Sequence, residues 1–225
     1  EGETVQSAAR RIAGSAAKFS RNEWLADEVY NAIAKGWLAL PSPIWSNMGT
    51  DRGLPISCFG SYISDDMSSI LETLSEIGIM TKYGGGTSAY FGDLRPRGAP
   101  IKNNGVSNGP VAFMQMFDAA MRVVSQGNTR RGSMAAYLPI EHPDIEDFLG
   151  IKSIGHPIQN LSFGITVTDD FLNEMIEGDP NKRRIWAKVL SVRKETGYPY
   201  INFIDTIDKL KPDIYENINI KHSNL

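Results

Sequence analysis

The sequence predicts an α/β fold built from parallel strands joined through helices. Two observations predict it. Short strand-like runs are centred near residues 59, 90, 136, 163 and 201, with a sixth beginning at 218. Helix-period stretches lie between them, and strands spaced in this way form parallel βαβ units. An open doubly wound sheet and part of an α/β barrel both satisfy this pattern, and periodicity does not separate them.

The elements follow in order. Residues 5–19 and 22–37 read as two opening helices. In the second, Trp24, Leu25, Val29, Ala32, Ile33 and Gly36 share one stripe at a 3.6-residue period, and Gly36 and Pro41 close it. PISCFGSYI at 55–63 is the first strand. Residues 65–83 form a helix, with Asp65 and Asp66 at the end where the macrodipole favours acids. Met67, Ile70, Leu71, Leu74 and Ile77 are its apolar stripe. GGGTSAYFG is a glycine turn feeding a short strand, and 93–109 is a loop dense in turn formers. Pro110 takes the first position of a helix that runs to Ser125. Phe113, Met114, Met116, Phe117, Met121, Val123 and Val124 nearly encircle it, so it needs two neighbours, of which a second subunit is one candidate. After the loop QGNTRRG come the strand SMAAYLP, a short helix started by Pro143, and the strand NLSFGITV. Thr168 caps the next helix, another covers about 182–196, and YPYINF and 218–221 are the last strands.

Bulk properties exclude several classes. Of the 225 residues, 41% are hydrophobic and 22% charged, the balance of a chain that buries a core. No apolar run approaches the ~20 residues that cross a bilayer. The start, EGETVQSAARRIAGSAAKF, lacks the apolar centre of a secretory signal, so a cytoplasmic protein without a membrane partner is expected. A net charge of −3 disfavours broad binding to nucleic acid. Cys58 is the single cysteine and cannot form a disulfide within the chain. His142, His156 and His222 lack ligand-like spacing, so no metal site is expected. Lone cysteines are commonly small buried hydrophobes, and composition leaves Cys58 open between that role and chemistry.

Several segments could carry chemistry. KYGGGTSA lacks the Gly-Lys-Ser/Thr ending of a P-loop and follows a helix instead of a strand. It reads either as a sharp turn needing left-handed glycines or as backbone set close against a ligand. QGNTRRG is either a solvated turn or a mobile loop offering the guanidinium groups of Arg130 and Arg131 to phosphate or base edges. Arg95 and Arg97 pose the same choice, and Arg95 follows a strand end, where α/β ligand sites lie. Glu141, His142 and Asp144 suggest an acid/base centre, but acids in the first turn of a helix begun by Pro143 are explained by capping and dipole. Ser42 is held between Pro41 and Pro43. Ser57 adjoins Cys58, and on a regular strand the two would face opposite ways.

In series, PSPIWSN, SCFGSYISDDMSSI, KYGGGTSAYFGDLRPRGAPI, SNGPVAFMQMFDAA, QGNTRRGSMAAYLPIEHPDIEDFL and HSNL resemble the catalytic (large, α) subunit of ribonucleotide reductase, from about Leu38 onward. The resemblance implies the first half of a ten-stranded α/β barrel, a parallel five-stranded half-barrel over 38–225, preceded by a helical segment over 1–37. It implies radical reduction of ribonucleotides to deoxyribonucleotides for DNA synthesis. Asn224-Leu225 match the two positions before the family's radical cysteine on a finger loop through the barrel. The chain alone is then expected to be inactive, as a split, spliced or truncated large subunit completed by a second polypeptide. Residue by residue, Cys58 matches one of two redox cysteines, Asn224 a substrate contact, and Ser42, Ser57, Gly85 and Gly86 the lining of ribose and phosphates. Asp65, Asp66, Met67, Arg95, Lys102, Gln126 and Arg130 match the site for an allosteric dNTP or ATP. Helices near 66–83 and 110–125 match the homodimer helices. The other implied partners are a radical-generating, metal-containing small subunit, with adenosylcobalamin as the alternative radical source, and a thioredoxin or glutaredoxin-type reductant; no cofactor is expected to be bound within this chain. Two rival readings stand beside this one. A non-catalytic dNTP-binding regulator would keep only the effector site, and a doubly wound enzyme of another kind would bury Cys58 in its core.

Overall fold

The computed structural model describes residues 2–126 and 130–224. The chain divides into two compact units, Glu1–Ser57 with Tyr83–Gly85, and Cys58–Lys82 with Gly86–Leu225.

The first unit is helical. Helix α1 (Val5–Ser20) starts at Thr4, whose hydroxyl accepts the Ser7 N–H at 3.1 Å, and ends at Arg21 in the left-handed region, φ 53°. Its buried stripe is Ala8, Ala9, Ile12, Ala13 and Ala17, and α2 (Leu25–Ala34) packs against α1. Helix α2 is shorter than the predicted 22–37. The bonds from Leu25 N to Asn22 O and Ala26 N to Glu23 O span three residues, a tighter turn than an α-helix, and Gly36 has φ 72°. Ser42 is the first residue of a short helix, α3 (Ser42–Asn47), with Pro41 as its cap and Pro43 in its first turn. Arg11 ties α1 to α3, donating to the carbonyls of Trp45 (2.8 Å) and Met48 while pairing with Glu3 at 2.9 Å.

The second unit runs β1 (Cys58–Tyr62), α4 (Met67–Lys82), β2 (Gly86–Tyr90), α5 (Pro110–Val123), β3 (Ser125–Gln126), β4 (Arg130–Arg131), β5 (Met134–Pro139), α6 (Ile145–Leu149), β6 (Ser162–Val167), α7 (Asp169–Glu177), α8 (Pro180–Thr196), β7 (Tyr200–Phe203) and α9 (Ile204–Lys209), with a 3-10 turn at Asp213–Tyr215. The sheet has the order β1-β2-β5-β6-β7, and every neighbouring pair is parallel. The expected α/β class and five parallel strands are both present. Thr168 caps α7 by accepting the Phe171 N–H at 3.2 Å, as its position predicts.

Residues partnered across a parallel ladder share a face, and faces alternate along each strand. One face is apolar: Ala89, Phe91, Met134, Ala136, Leu138, Phe163 and Ile165 belong to the main core with α4 and α5 residues such as Ile70, Met114 and Phe117. Edge-to-face pairs, Phe91–Phe117 and Phe148–Phe163, each with centroids 5.2 Å apart, add about 0.5–1.5 kcal/mol apiece beyond burial. The other face has a different chemistry. Cys58 partners Gly86, Gly60 partners Ser88, Tyr62 partners Tyr90, Tyr90 partners Tyr137, and Tyr137 partners Gly164. It is a face of small, polar and aromatic residues.

The buried Asp118 of α5 fixes the entry to β6. One carboxylate oxygen accepts the backbone N–H groups of Gln159 (3.1 Å), Asn160 (2.6 Å) and Leu161 (3.1 Å), and the other accepts the Asn160 side-chain amide at 2.9 Å. Helix α6 starts at Ile145, with Asp144 in the N-cap position and no side-chain capping bond, so Pro143 lies outside it.

The strand predicted at 218–221 does not form. Lys211 Nζ donates to the Ile218 carbonyl at 2.8 Å, and the Ile220 N–H is 3.4 Å from Asp208 Oδ1. Side chains hold this backbone instead of a neighbouring strand, and residues 219–224 run on irregularly to the polar-aromatic face of the sheet.

Candidate functional site

The site is built where β1 and β2 begin. Cys58 and Gly86 are the first residues of their strands and are Cα partners in the ladder. The Asn224 side-chain amide donates to the Gly86 carbonyl at 2.7 Å and lies 3.4 Å from that of Phe59. Three residues spread over 166 positions thus meet at one sheet end, and the sole cysteine is exposed there instead of sealed in the core. An exposed thiol on a strand whose ladder partner is a glycine can deliver a proton or, together with a second thiol, an electron pair to a polar ligand.

The approach of residues 222–224 is fixed by contacts that sequence reasoning missed. The His222 ring lies 5.3 Å from that of Tyr137 and stacks 6.2 Å from that of Tyr90, interplanar angle 16°. Its Nε2 is 3.0 Å from Ser88 Oγ, and Asn202 donates to Ser223 Oγ at 3.0 Å. Burial pulls the His222 pKa down to about 4, with the Ser88 contact opposing. Burial first, then the nearby Asp93 and Tyr62, pushes Tyr90 up to about 12; burial and then Tyr200 does the same to Tyr137. The one available signal was the alternation Cys-x-Gly-x-Tyr and Gly-x-Ser-x-Tyr in β1 and β2, which leaves room on one face for a covering chain.

Ser42, Ser57 and Gly85 belong to the first compact unit. Ser42 is exposed at the start of α3; Ser57 is half-buried and directly precedes Cys58, and Gly85 directly precedes Gly86.

A second cluster joins α4 to the loop after β2. Arg95 Nε donates to Asp65 Oδ2 at 2.7 Å, Arg95 N donates to Asp65 Oδ1 at 3.1 Å, and Arg95 Nη1 donates to the Pro100 carbonyl at 3.2 Å. The pair is about one-third exposed. Asp66 accepts the Ser69 N–H at 2.8 Å, which gives it a helix-capping task. Met67 and Lys102 are exposed, Lys102 in a turn closed by the Pro100–Val106 bridge. Gln126 and Arg130 pair through their backbones in the antiparallel β3–β4 ladder, and residues 127–129 lie outside the described residues. Helix α4 exposes Met67, Leu71 and Ile79, and α5 exposes Met116 and Val123 while burying Met114, Phe117 and Met121.

Glu141, His142 and Asp144 form no acid/base centre. His142 is buried, its Nε2 3.0 Å from the Leu94 carbonyl and its Nδ1 accepting the Asp144 N–H at 3.0 Å, while Asp144 accepts the Arg97 N–H at 2.9 Å. Both ring nitrogens are committed to backbone groups. Among the described residues, no three of His, Cys, Asp or Glu are placed to hold a metal ion, and no helix is long and apolar enough to cross a membrane.

Comparison with known proteins places this geometry in context. The family described as ribonucleotide reductase, barrel domain, matches residues 56–182, and the one described as ribonucleotide reductase, all-alpha domain, matches 1–53. The ribonucleoside-diphosphate reductase large subunit of Invertebrate iridescent virus 6 is 34% identical over 88% of this chain and 23% of its own length. The vitamin B12-dependent ribonucleoside-diphosphate reductase of Mycobacterium tuberculosis is 33% identical over 94% of this chain and 33% of its own. The solved structure of the Actinobacillus ureae class Id ribonucleotide reductase alpha subunit is 47% identical, with a TM-score of 0.90 over all of this chain and 42% of that one. The chain therefore spans well under half the length of these relatives, which include both a B12-dependent and a class Id enzyme.

Proposed function

Because the chain belongs to the ribonucleotide reductase family, whose barrel-domain description covers more than half of it, we propose that it forms the first half-barrel, 38–225, of a ribonucleoside-diphosphate reductase large subunit, behind a helical segment, 1–37. It works with the rest of that subunit to convert ribonucleotides to deoxyribonucleotides for DNA synthesis. The observation that carries this reading is the meeting of Cys58, Gly86 and Asn224 at the start of β1 and β2.

Cys58 is one of two thiols that reduce the ribose 2′-carbon. The 2′-hydroxyl leaves as water, a C2′–H bond forms, and the two electrons come from two thiols that become one disulfide. The second thiol belongs to the remainder of the large subunit. Asn224 holds the ribose, and Ser42, Ser57, Gly85 and Gly86 line the sugar and its diphosphate, glycine amides approaching phosphate with no Cβ in the way. The opening radical comes from outside this chain, from a metal-containing small subunit, with adenosylcobalamin as the alternative. Asp65, Asp66, Met67, Arg95, Lys102, Gln126 and Arg130 take a dNTP or ATP effector, and α4 and α5 pair two subunits through their exposed apolar residues. A thioredoxin or glutaredoxin-type protein re-reduces the disulfide, and the enzyme works in the cytoplasm.

The test is Cys58→Ser in the holoenzyme. Loss of deoxyribonucleotide product with dNTP binding retained supports the reading. Undiminished product would overturn it, and dNTP binding without product from any assembly of the wild-type chain would favour a non-catalytic regulator.

A further inference from the structure

Residues 219–224 reach the sheet without strand pairing, so something else must set where Asn224 lands. Side-chain contacts hold the segment, among them that of Lys221, whose Nζ lies 5.7 Å from the centroid of the Tyr90 ring. Asp208 and Lys211 hold residues 218–220, and Asn202 bonds Ser223 at 3.0 Å. Of these residues His222 combines ring stacking, on Tyr90 and Tyr137, with a hydrogen bond to Ser88 of β2. Its neighbours make room for it. A Cβ on Gly60 would stand 3.3 Å from His222 Nε2, and a Cβ on Gly164 would displace the Tyr137 ring that His222 packs on. Ser88 Oγ, 3.0 Å from the imidazole, is also 3.3 Å from the Phe59 carbonyl, which Asn224 approaches. The two contacts therefore converge on the same gap between β1 and β2.

We infer that His222 is a positioning residue: its imidazole, set on Tyr90 and Tyr137 and bonded to Ser88, pins residues 219–224 so that the Asn224 amide is held at the Gly86 and Phe59 carbonyls. Ring and hydrogen bond act together. The ring fixes the height of the segment above the sheet, and the Ser88 contact fixes its position along β2. A neutral ring suits both tasks, since a charged one would be desolvated here. The inference deepens the proposed function, because it rests on Asn224 being a substrate contact.

The test follows side-chain amide exchange of Asn224 by NMR on the full chain, with β6 backbone amides as an internal reference. His222→Ala should speed Asn224 exchange about tenfold or more, the scale of one lost hydrogen bond plus its packing, while the β6 amides hold their rates. His222→Phe keeps the ring and His222→Gln keeps a donor for Ser88, so each should restore part of the protection. Ser88→Ala reads the same contact from the other side if the His222→Ala chain misfolds. Asn224 exchange within twofold of wild type in both His222→Ala and Ser88→Ala overturns the inference. In the holoenzyme, His222→Ala should also lower kcat/KM for a ribonucleoside diphosphate about tenfold, with partial rescue by His222→Phe. Faster Asn224 exchange with unchanged kcat/KM upholds the pin and overturns the reading of Asn224 as a substrate contact.

Discussion

Gly164→Ala tests the packing that shapes the site's face. Gly164 partners Tyr137 in the β5–β6 ladder, and Tyr137 is fully buried. A Cβ at 164 would lie 2.8 Å from Tyr137 Cδ1 and 3.1 Å from Cζ, and nearer still to Cε1. Carbon atoms pack at about 3.5–4.0 Å, so the ring must move by more than about an ångström. Inserting a methylene-sized group into a closed core costs about 1–3 kcal/mol. The substitution also restricts the unfolded chain, which returns about 0.4–1 kcal/mol. The net expectation is a loss of about 1–2 kcal/mol, read from urea denaturation followed by far-UV circular dichroism at constant m. Tyr137→Ala removes the obstacle, so the double variant should recover at least half of the added cost in a double-mutant cycle. A Gly164→Ala chain as stable as wild type, or strictly additive variants, would refute the packing argument.

Asp118→Ala strips four donors of a buried acceptor and should cost about 3 kcal/mol or more in the same assay; Asp118→Asn, which keeps one acceptor oxygen, should cost less. Acid should release residues 219–224 through His222. Its folded pKa of about 4 lies below the ordinary 6.5, so the unfolded or released form binds the proton more tightly. The contribution is fully present above pH 6.5 and is lost as pH falls towards 4, on the order of 3 kcal/mol. Tyr90 and Tyr137, both pushed up to about 12, stay protonated throughout that window, so His222→Phe should flatten the pH dependence of Asn224 exchange. Asp65→Asn weakens the partly exposed pair with Arg95 and should change stability by under about 1 kcal/mol, yet lower dNTP affinity at least severalfold by calorimetry in the holoenzyme.

The alternation of strand and helix patterns made the sheet legible, because each parallel strand is bounded by turn formers and followed by an amphipathic helix. Thr168 and Pro110 marked helix starts through local chemistry that tertiary packing had no reason to override. Asn217–Lys221 misled because Asn-Ile-Asn-Ile-Lys alternates like a strand, while Asp208 and Lys211, several residues earlier, take its backbone partners. The site was legible only through resemblance. Nothing in local sequence ties Asn224 to Gly86, since parallel register and the docking of 219–224 create that contact. Asp65 shows the opposite case: its place beside a helix start was readable, but its partner Arg95, thirty residues on, was not.

The most direct measurement is the redox state of Cys58 after one turnover. Holoenzyme is reduced, freed of reductant, given a ribonucleoside diphosphate, and quenched with an alkylating agent before mass spectrometry. The account predicts one disulfide containing Cys58 for each deoxyribonucleotide formed. Product accompanied by a fully alkylated Cys58 would contradict it.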